Sequence, residues 1–425
     1  MQQQIAPTDG GRVSGQSRNT AHAISQNAKY FEATPMADLM AVHGHFTSGH
    51  NTARGNDPSD SHRQVIDFVR CSYLGLDNHP VIVAGAVEAI EVHRSLDWSR
   101  ARARLNFDPL GELEGILSEI FRARVLAFSS GTLANLCAMP ILASGQLTGG
   151  RKPLIAFDQS ADISLAFYKP VMADEARAET IVHNDIDALE RLCRETRVVA
   201  YVCDGVYSNG GYSPIKELRQ LQERYGLFLY IDDSDGISIF GRQGEGFARS
   251  RFPQVLGDRT IIAGSLAKGF GGSGGVLMFG AADHEALFRR YSIPYAFSLA
   301  PNLAAIGAAL GSCKIHRSAE LGQRRRRLAQ RVELFDRRIC TAEQGNSLPI
   351  RTITIGSEAN AIAVARALLD CNFYVLTTFF PTVPQGKAGI RVCITAEHEA
   401  RDIERLCDSI LQKVAAATGK PYPLR

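Results

Sequence analysis

Several features that would settle the class of a protein at a glance are missing from this sequence. No apolar run comes near the roughly 20 residues that a membrane span needs. Met1 to Ala6 supplies neither a basic n-region nor an apolar h-region, so no secretory leader is expected. No Gly-x4-Gly-Lys-Ser/Thr loop is present, which counts against a P-loop nucleotide site. Charge of one sign is also missing. The 47 Lys and Arg against 44 Asp and Glu leave a net charge of +3, too small to suggest a nucleic-acid partner. Nine cysteines run from Cys71 to Cys407, an odd number without CxxC spacing, which fits neither a disulfide framework nor a zinc site. Most sit in apolar stretches and read as reduced core residues, so a cytoplasmic protein is expected.

The chain does have length and a steady α/β rhythm. Its 425 residues, 45% hydrophobic and 21% charged, suit a two-domain α/β enzyme. Residues 1–60 form an N-terminal segment, the first 28 or so polar and without periodicity, and these are expected to be disordered. Residues 61–300 read as a large domain and 301–425 as a smaller C-terminal α/β domain. Gln64 to Arg70 reads as a strand. Pro80 to Arg94 has helical periodicity, with Val81, Ala84, Val87 and Ile90 on one side. Strand runs at Arg124–Phe128, Leu154–Phe157, Val198–Cys203, Leu227–Ile231 and Thr260–Gly264 alternate with helical stretches at Thr132–Ala143, Asp185–Glu195 and Ile215–Tyr225. This order implies a mostly parallel sheet covered on both faces, with ligands bound beyond the carboxyl ends of its strands. Pro301 to Arg338 reads as one long helix.

Three local patterns carry chemistry. In Ser265-Leu-Ala-Lys268, a strand feeds a lysine that a glycine-rich stretch follows. Such a lysine can form a Schiff base with an aldehyde cofactor, and Ser265 with nearby N–H groups can bind phosphate. In Asp232-Asp233-Ser234-Asp235, a carboxylate at a strand end can pair with a protonated pyridine nitrogen. A metal site or an acidic turn are the other readings of that segment. In Ser129-Ser130-Gly131-Thr132, a strand gives way to a helix whose N-terminus can cradle an anion or simply be capped.

The order of these patterns, phosphate cradle then strand-end Asp then lysine, matches fold-type-I pyridoxal 5′-phosphate (PLP) enzymes. Within them the chain resembles the α-oxoamine synthases, which condense an amino acid with an acyl thioester. Ser72-Tyr-Leu-Gly-Leu, Asp204-Gly-Val-Tyr-Ser208-Asn-Gly-Gly and Pro381-Thr-Val-Pro to Arg391-Val-Cys-Ile-Thr carry the likeness, with Cys71 where the family has Asn. The resemblance implies a fold-type-I transferase with a mostly parallel, seven-stranded type of central sheet. It implies PLP as cofactor, Lys268 as the Schiff-base lysine and Asp232 as the partner of the pyridine nitrogen. Ser130, Gly131, Thr132 and Ser265 would serve the phosphate, with Ser298 reaching it from the other subunit of a homodimer. Ser208 would lie near the phenolic oxygen, and Arg391 would hold the substrate carboxylate.

Two departures stand out. Asp235 occupies the place of a histidine that helps bind the phenolic oxygen. Asp162, in Asp158-Gln-Ser-Ala-Asp162, occupies the place of the histidine that stacks on the ring, and it is a candidate both for catalysis and for cofactor contact. The leading expectation is an acyltransferase that joins an amino acid to a thioester of CoA or of a carrier protein. Transamination, retro-aldol cleavage or β/γ-replacement on the same scaffold is the alternative, and a PLP-binding protein without catalysis a further one. Arg324 to Arg327 and the cluster Arg94, Arg100, Arg102 and Arg104 around Trp98 could meet CoA phosphates, although a solvated face with ordinary salt bridges is the favoured reading.

Overall fold

A computed structural model describes residues 39, 43–47, 50–54, 63–97, 102, 105–380 and 382–422. The expected disorder of the first 28 residues, and Trp98, Arg100 and Arg104, lie outside the described residues. β1 (His43–Thr47), β2 (His50–Arg54) and β3 (Arg63–Asp67) pair antiparallel in succession. The strand expected at 64–70 is thus present, but in this small sheet and not in the main one.

The main sheet is built from β4 (Arg124–Phe128), β5 (Leu154–Asp158), β6 (Ala178–Ile181), β7 (Val199–Asp204), β8 (Phe228–Asp232), β9 (Thr260–Ser265) and β10 (Gly275–Phe279), in the order β4-β10-β9-β8-β7-β5-β6. β5, β7 and β8 are buried along their whole length. Side chains on both faces are covered by helices, which is why these segments read as unbroken apolar runs rather than alternating ones. All neighbours are parallel except at β10, which runs antiparallel to both β4 and β9. The sequence reading stopped at the glycines before β10 and missed this strand. Its position brings Gly275 opposite both Phe128 and Ser265, so the ends of β4 and β9 and the start of β10 share one edge.

The glycines of that edge are fixed by space. A Cβ on Gly275 would stand 2.4 Å from the backbone nitrogen of Gly131, the first residue of helix Gly131–Ala143. No side chain fits there without moving the helix start. A second close approach joins helix Pro80–His93 to helix Leu303–His316, where a Cβ on Gly85 would meet the Gly307 carbonyl oxygen at 2.4 Å. The first helix therefore packs through its small residues. Its Val81, Val87 and Ile90 stripe faces outward, 39%, 47% and 39% exposed.

The single long helix expected from 301 to 338 is two helices, Leu303–His316 and Ala319–Asp336. Ser318 ends the continuity by capping the second with its side chain, which accepts from Glu320 N–H, a competition with the helix ladder that serine commonly wins at an N-cap. Leu303, Ile306, Ala309 and Cys313 of the first helix pack into the same apolar core as Leu229, Ile231 and Val276 of the main sheet. Beyond them β11 (Ile350–Gly356), β13 (Leu376–Thr378) and β14 (Ala388–Cys393) form an antiparallel sheet in the order β11-β14-β13, while β12 (Phe373–Tyr374) pairs with β3. Helices Glu358–Asp370 and Ala400–Thr418 cover this part.

Arg324, Arg325 and Arg102 of the basic clusters are held in structural contacts, while Arg94, Arg326 and Arg327 are exposed. Arg324 donates to the carbonyls of Leu74 and Gly75, and Arg325 to those of Ser238, Phe240 and Gly241. Arg102, 6% exposed, binds the Ala127 carbonyl and Glu114. None of these three guanidinium groups stands ready for CoA phosphates.

Candidate active site

The carboxyl ends of β4, β5, β7, β8 and β9 open on one cavity of about 280 Å³. It is lined by Ser129 to Thr132, Asp162, Ser164, Asp204, Asp232, Ser234, Asp235, Ser265 and Lys268, among others. A wider depression of about 640 Å³ lies at the amino ends of the strands and contains none of the candidate residues. The fold thus brings eight of the candidates together: Ser130, Gly131, Thr132, Asp162, Asp232, Asp235, Ser265 and Lys268.

One side of the cavity is the start of helix Gly131–Ala143. The Ser130 hydroxyl accepts from Leu133 N–H at 3.1 Å, so Ser130 caps the helix. The N–H groups of the first turn have no partner within the helix and carry the positive end of its dipole. An anion fits there, and Ser265 across the gap completes the cradle with its hydroxyl, which accepts from Ala267 N–H.

The floor is Asp232, the last residue of β8. Its carboxylate accepts from Asn135 Nδ2 at 2.8 Å and from Ser234 N–H at 2.9 Å. Asn135 is held in turn, its Oδ1 accepting from Tyr230 hydroxyl at 2.7 Å and its Nδ2 also reaching Ser164. Burial pushes the Asp232 carboxyl above its usual range, the two hydrogen bonds pull back, and the Asp162 charge pushes further up. A cation against this carboxylate would relieve it. Asp233 faces the other way, as strand alternation requires. Its Oδ2 accepts from Ala248 N–H at 2.8 Å, and its Oδ1 is buried without a partner among the described residues. The acidic turn is not a cation cage, and among the described residues no group of three or more ligand-type side chains is placed to hold a metal ion.

Lys268 closes the opposite side. Its Nζ donates to Asp235 Oδ2 at 2.8 Å, and Tyr73 hydroxyl donates to Asp235 Oδ1 at 2.5 Å. Burial alone would lower the Lys268 pKa, but Asp235 first and then Cys71 and Asp232 outweigh it and hold the ammonium well charged.

Asp162 sits at the head of the short helix Ile163–Ala166, its carboxylate accepting from Ser164 N–H at 2.9 Å. The turn that presents it is anchored by Asp158, fully buried at the end of β5, which takes bonds from Ser160, His183, Asn184 and Tyr201. The Asp162 N–H donates to Asp204 at 3.2 Å. Asp204 is driven well above the carboxylate range by burial and by the neighbouring Asp232 and Asp162 charges.

Three candidates stand apart. Arg391 of β14 donates through Nη1 to the Ser208 carbonyl at 3.0 Å, and its Nε is buried without a partner among the described residues. Neither Arg391 nor Ser208 lines the cavity itself. Ser298 follows helix Ile293–Phe297, whose Ile293 and Phe297 are 66% and 64% exposed, and does not reach the cavity of its own chain. Sequence reasoning passed over Asn135, Tyr73 and Asp204. The signal for Asn135 was there, a lone amide in the apolar run Leu133-Ala-Asn-Leu-Cys137. Tyr73 lies 162 residues from Asp235, and no local pattern could have paired them.

Comparison with known proteins gives the family and the fold. Residues 168–410 match the family model of class I and II aminotransferases. The chain is 32% identical over 365 residues to the 8-amino-7-oxononanoate synthase of Maricaulis maris, spanning 84% of this chain and 89% of that protein. It is 31% identical over 352 residues to the enzyme of that name from Geobacter sulfurreducens, spanning 81% and 87%. Among solved structures, serine palmitoyltransferase of Sphingomonas wittichii superposes with a TM-score of 0.81 at 20% identity, over 94% of this chain and 99% of that one. The 8-amino-7-oxononanoate synthase of Francisella tularensis superposes with a TM-score of 0.67 at 19% identity, over 83% and 98%.

Proposed function

The chain belongs to the class I and II aminotransferase family, on its α-oxoamine synthase branch, and from that premise we propose how its own residues perform a PLP-dependent condensation of an amino acid with an acyl thioester. The observation that supports this most is the convergence of Lys268, Asp232 and the Ser129–Thr132 helix start on one cavity. These are a lysine for the aldehyde, a carboxylate for the ring nitrogen and a cradle for the phosphate. The donor set fits PLP, which when bound supplies an electron sink for a carbanion at the amino acid α-carbon.

The residues divide the work by charge. Asp232, oriented by Asn135, holds the proton on the ring nitrogen. Gly131 and Thr132 N–H groups with Ser265 bind the phosphate, and Ser298 of a second copy completes that contact in a homodimer. Arg391, outside the cavity lining and fixed to the Ser208 carbonyl, would hold the substrate carboxylate through its remaining N–H groups. Lys268 Nζ would hold the cofactor aldehyde and, as a free amine, would be the base placed to take a proton from the substrate α-carbon. CoA or a carrier protein serves as acyl donor. Residence in the cytoplasm belongs to the same proposal and is supported by nine cysteines that are all unpaired.

One observation favours a second reading, another PLP reaction on the same scaffold. Asp162, Asp204, Asp232 and Asp235 all face a cavity whose lining offers Lys268 as its cation, and carboxylates at the ring face change how an α-proton is handled. The test is purified protein with PLP, a panel of amino acids, and acyl thioesters of CoA and carrier protein. Thiol release that depends on both substrates supports the condensation. Keto acid or aldehyde formed without thioester supports the second reading, and no absorbance change with any amino acid overturns both.

A further inference from the structure

The Lys268–Asp235–Tyr73 chain gives this site a property that its lysine does not have by itself. A lysine that joins an aldehyde leaves its nitrogen in place, now as an imine nitrogen that is either neutral or protonated. Only the protonated form draws electrons strongly enough from the adjacent carbon to make it a good target for an incoming amine. In this protein the nitrogen lies 2.8 Å from one oxygen of Asp235, a side chain that is 6% exposed. The other oxygen accepts from the Tyr73 hydroxyl at 2.5 Å. Tyr73 is itself buried, 1% exposed. Burial first, and then the Asp235 charge, hold its phenol protonated, so it remains a donor and Asp235 remains the acceptor on both sides.

We propose that Asp235, fixed by Tyr73, is the counter-ion that keeps the Lys268 nitrogen protonated, both as the free amine and when it is joined to the cofactor. This rests on the PLP reading of the site and assigns a positioning role that the reading does not require. The groups facing the pair pull in known directions. Cys71 and Asp232 add negative charge near Lys268. Arg391 lies close enough to Asp235 and Cys71 to feel both. Cys71, with a thiol pulled down to about 6 chiefly by a hydrogen bond from Cys393 and also by Lys268 and Arg391, reinforces the negative side. Asp204 feels Asp235 from across the cavity. Of these, Asp235 is the one in direct contact with the nitrogen, and an opposite charge so close moves a pKa by about one to three units.

The arrangement has a consequence for loading. A protonated amine cannot attack an aldehyde, so the Asp235 clamp slows capture of the cofactor at neutral pH while activating the linkage once it is made. Removing the charge should therefore reverse both effects, making the amine freer and the linkage less reactive.

The test uses the full-length protein in two states and the variants Asp235→Asn and Asp235→Glu. In cofactor-free protein, an amine-reactive reagent followed by peptide mass spectrometry reads the labelling of Lys268 against pH. Asp235→Asn should label about tenfold faster or more at pH 8, the effect of a shift of at least one unit, and Asp235→Glu should return toward the parent. In PLP-loaded protein, the visible absorption band is titrated with pH. The parent should keep its long-wavelength, protonated form to the alkaline limit of the fold. Asp235→Asn should lose that form at a midpoint at least about one unit lower, with partial recovery in Asp235→Glu. Equal labelling of parent and Asp235→Asn, or equal midpoints, would overturn the assignment. If neither protein develops a visible band with PLP, the cofactor reading fails, and the labelling arm still decides whether Asp235 clamps the lysine.

Discussion

Asn135 offers the sharpest check on how the site is held. Replacing it with Leu keeps the number and branching of the side-chain heavy atoms and removes both ends of a relay. Asp232 loses its 2.8 Å donor, and the Tyr230 hydroxyl loses its 2.7 Å acceptor. Tyr230 is fully buried, and Asp232 is 6% exposed at the cavity floor. A hydrogen bond to a charged acceptor contributes about 1.5–3 kcal/mol, and leaving a buried hydroxyl unsatisfied costs about 1–3 kcal/mol. The first loss falls on the ionised form of Asp232, equivalent to a rise of about one to two units in a pKa that burial has already raised. A carboxyl that is less stable as an anion, and free to rotate, binds a pyridinium less well. PLP affinity at neutral pH, measured by equilibrium dialysis or absorbance titration, should fall by about tenfold to a hundredfold. The cofactor-free fold should lose about 1–3 kcal/mol in urea unfolding from the orphaned Tyr230. Asn135→Asp should be worse for PLP than Asn135→Leu, because it sets a like charge against Asp232. Parent-like PLP affinity in Asn135→Leu would refute the claim that this amide orients the carboxylate.

Three further outcomes follow from the same structure. Asp204 has a folded pKa raised above its unfolded value, so the native state binds more protons between the two and its contribution to stability declines as pH rises through that window. Asp204→Asn should therefore melt higher than the parent in cofactor-free protein, with a gap that widens as pH rises above the ordinary carboxylate range, and a gap that narrows would contradict the sign. Arg102→Met removes a buried cation from the Ala127 carbonyl and from Glu114 and should cost about 3 kcal/mol, read by chemical denaturation. Glu114 keeps its bond to Arg289 at 2.9 Å, so a loss well below about 1 kcal/mol would show that Arg289 alone compensates. Gly275→Ala forces a Cβ to 2.4 Å from the Gly131 nitrogen and should weaken PLP binding more than it lowers the melting temperature, because the displaced helix start is the phosphate cradle; the reverse pattern would place the phosphate elsewhere.

The sequence by itself determined the periods of the chain and the chemistry of its strand ends. Apolar runs such as Leu227–Ile231 can be buried only on both faces of a sheet, and a lysine or carboxylate directly after such a run falls at the sheet edge where ligands bind. Lys268, Asp232 and the Ser129–Thr132 turn were legible for that reason, since each is local. The direction of Asp233 followed from alternation along the strand. What the sequence left undecided depends on contacts between distant segments. β10 escaped notice because its five residues follow a glycine stretch, and only pairing with β4 and β9 makes them a strand. The break at Ser318 was hidden because a single capping side chain competes with a helical pattern that continues on both sides. The outward face of helix Pro80–His93 was decided by Gly85 meeting Gly307, a backbone contact that no hydrophobic stripe can announce. The partners of the reacting groups were set the same way. Tyr73 reaches Asp235 across 162 positions and Asn135 reaches Asp232 across 97. Side-chain type limits what a residue can do, but the protonation state in which it does it is fixed by its neighbours, and in this site the neighbours come from segments that only the tertiary fold brings together.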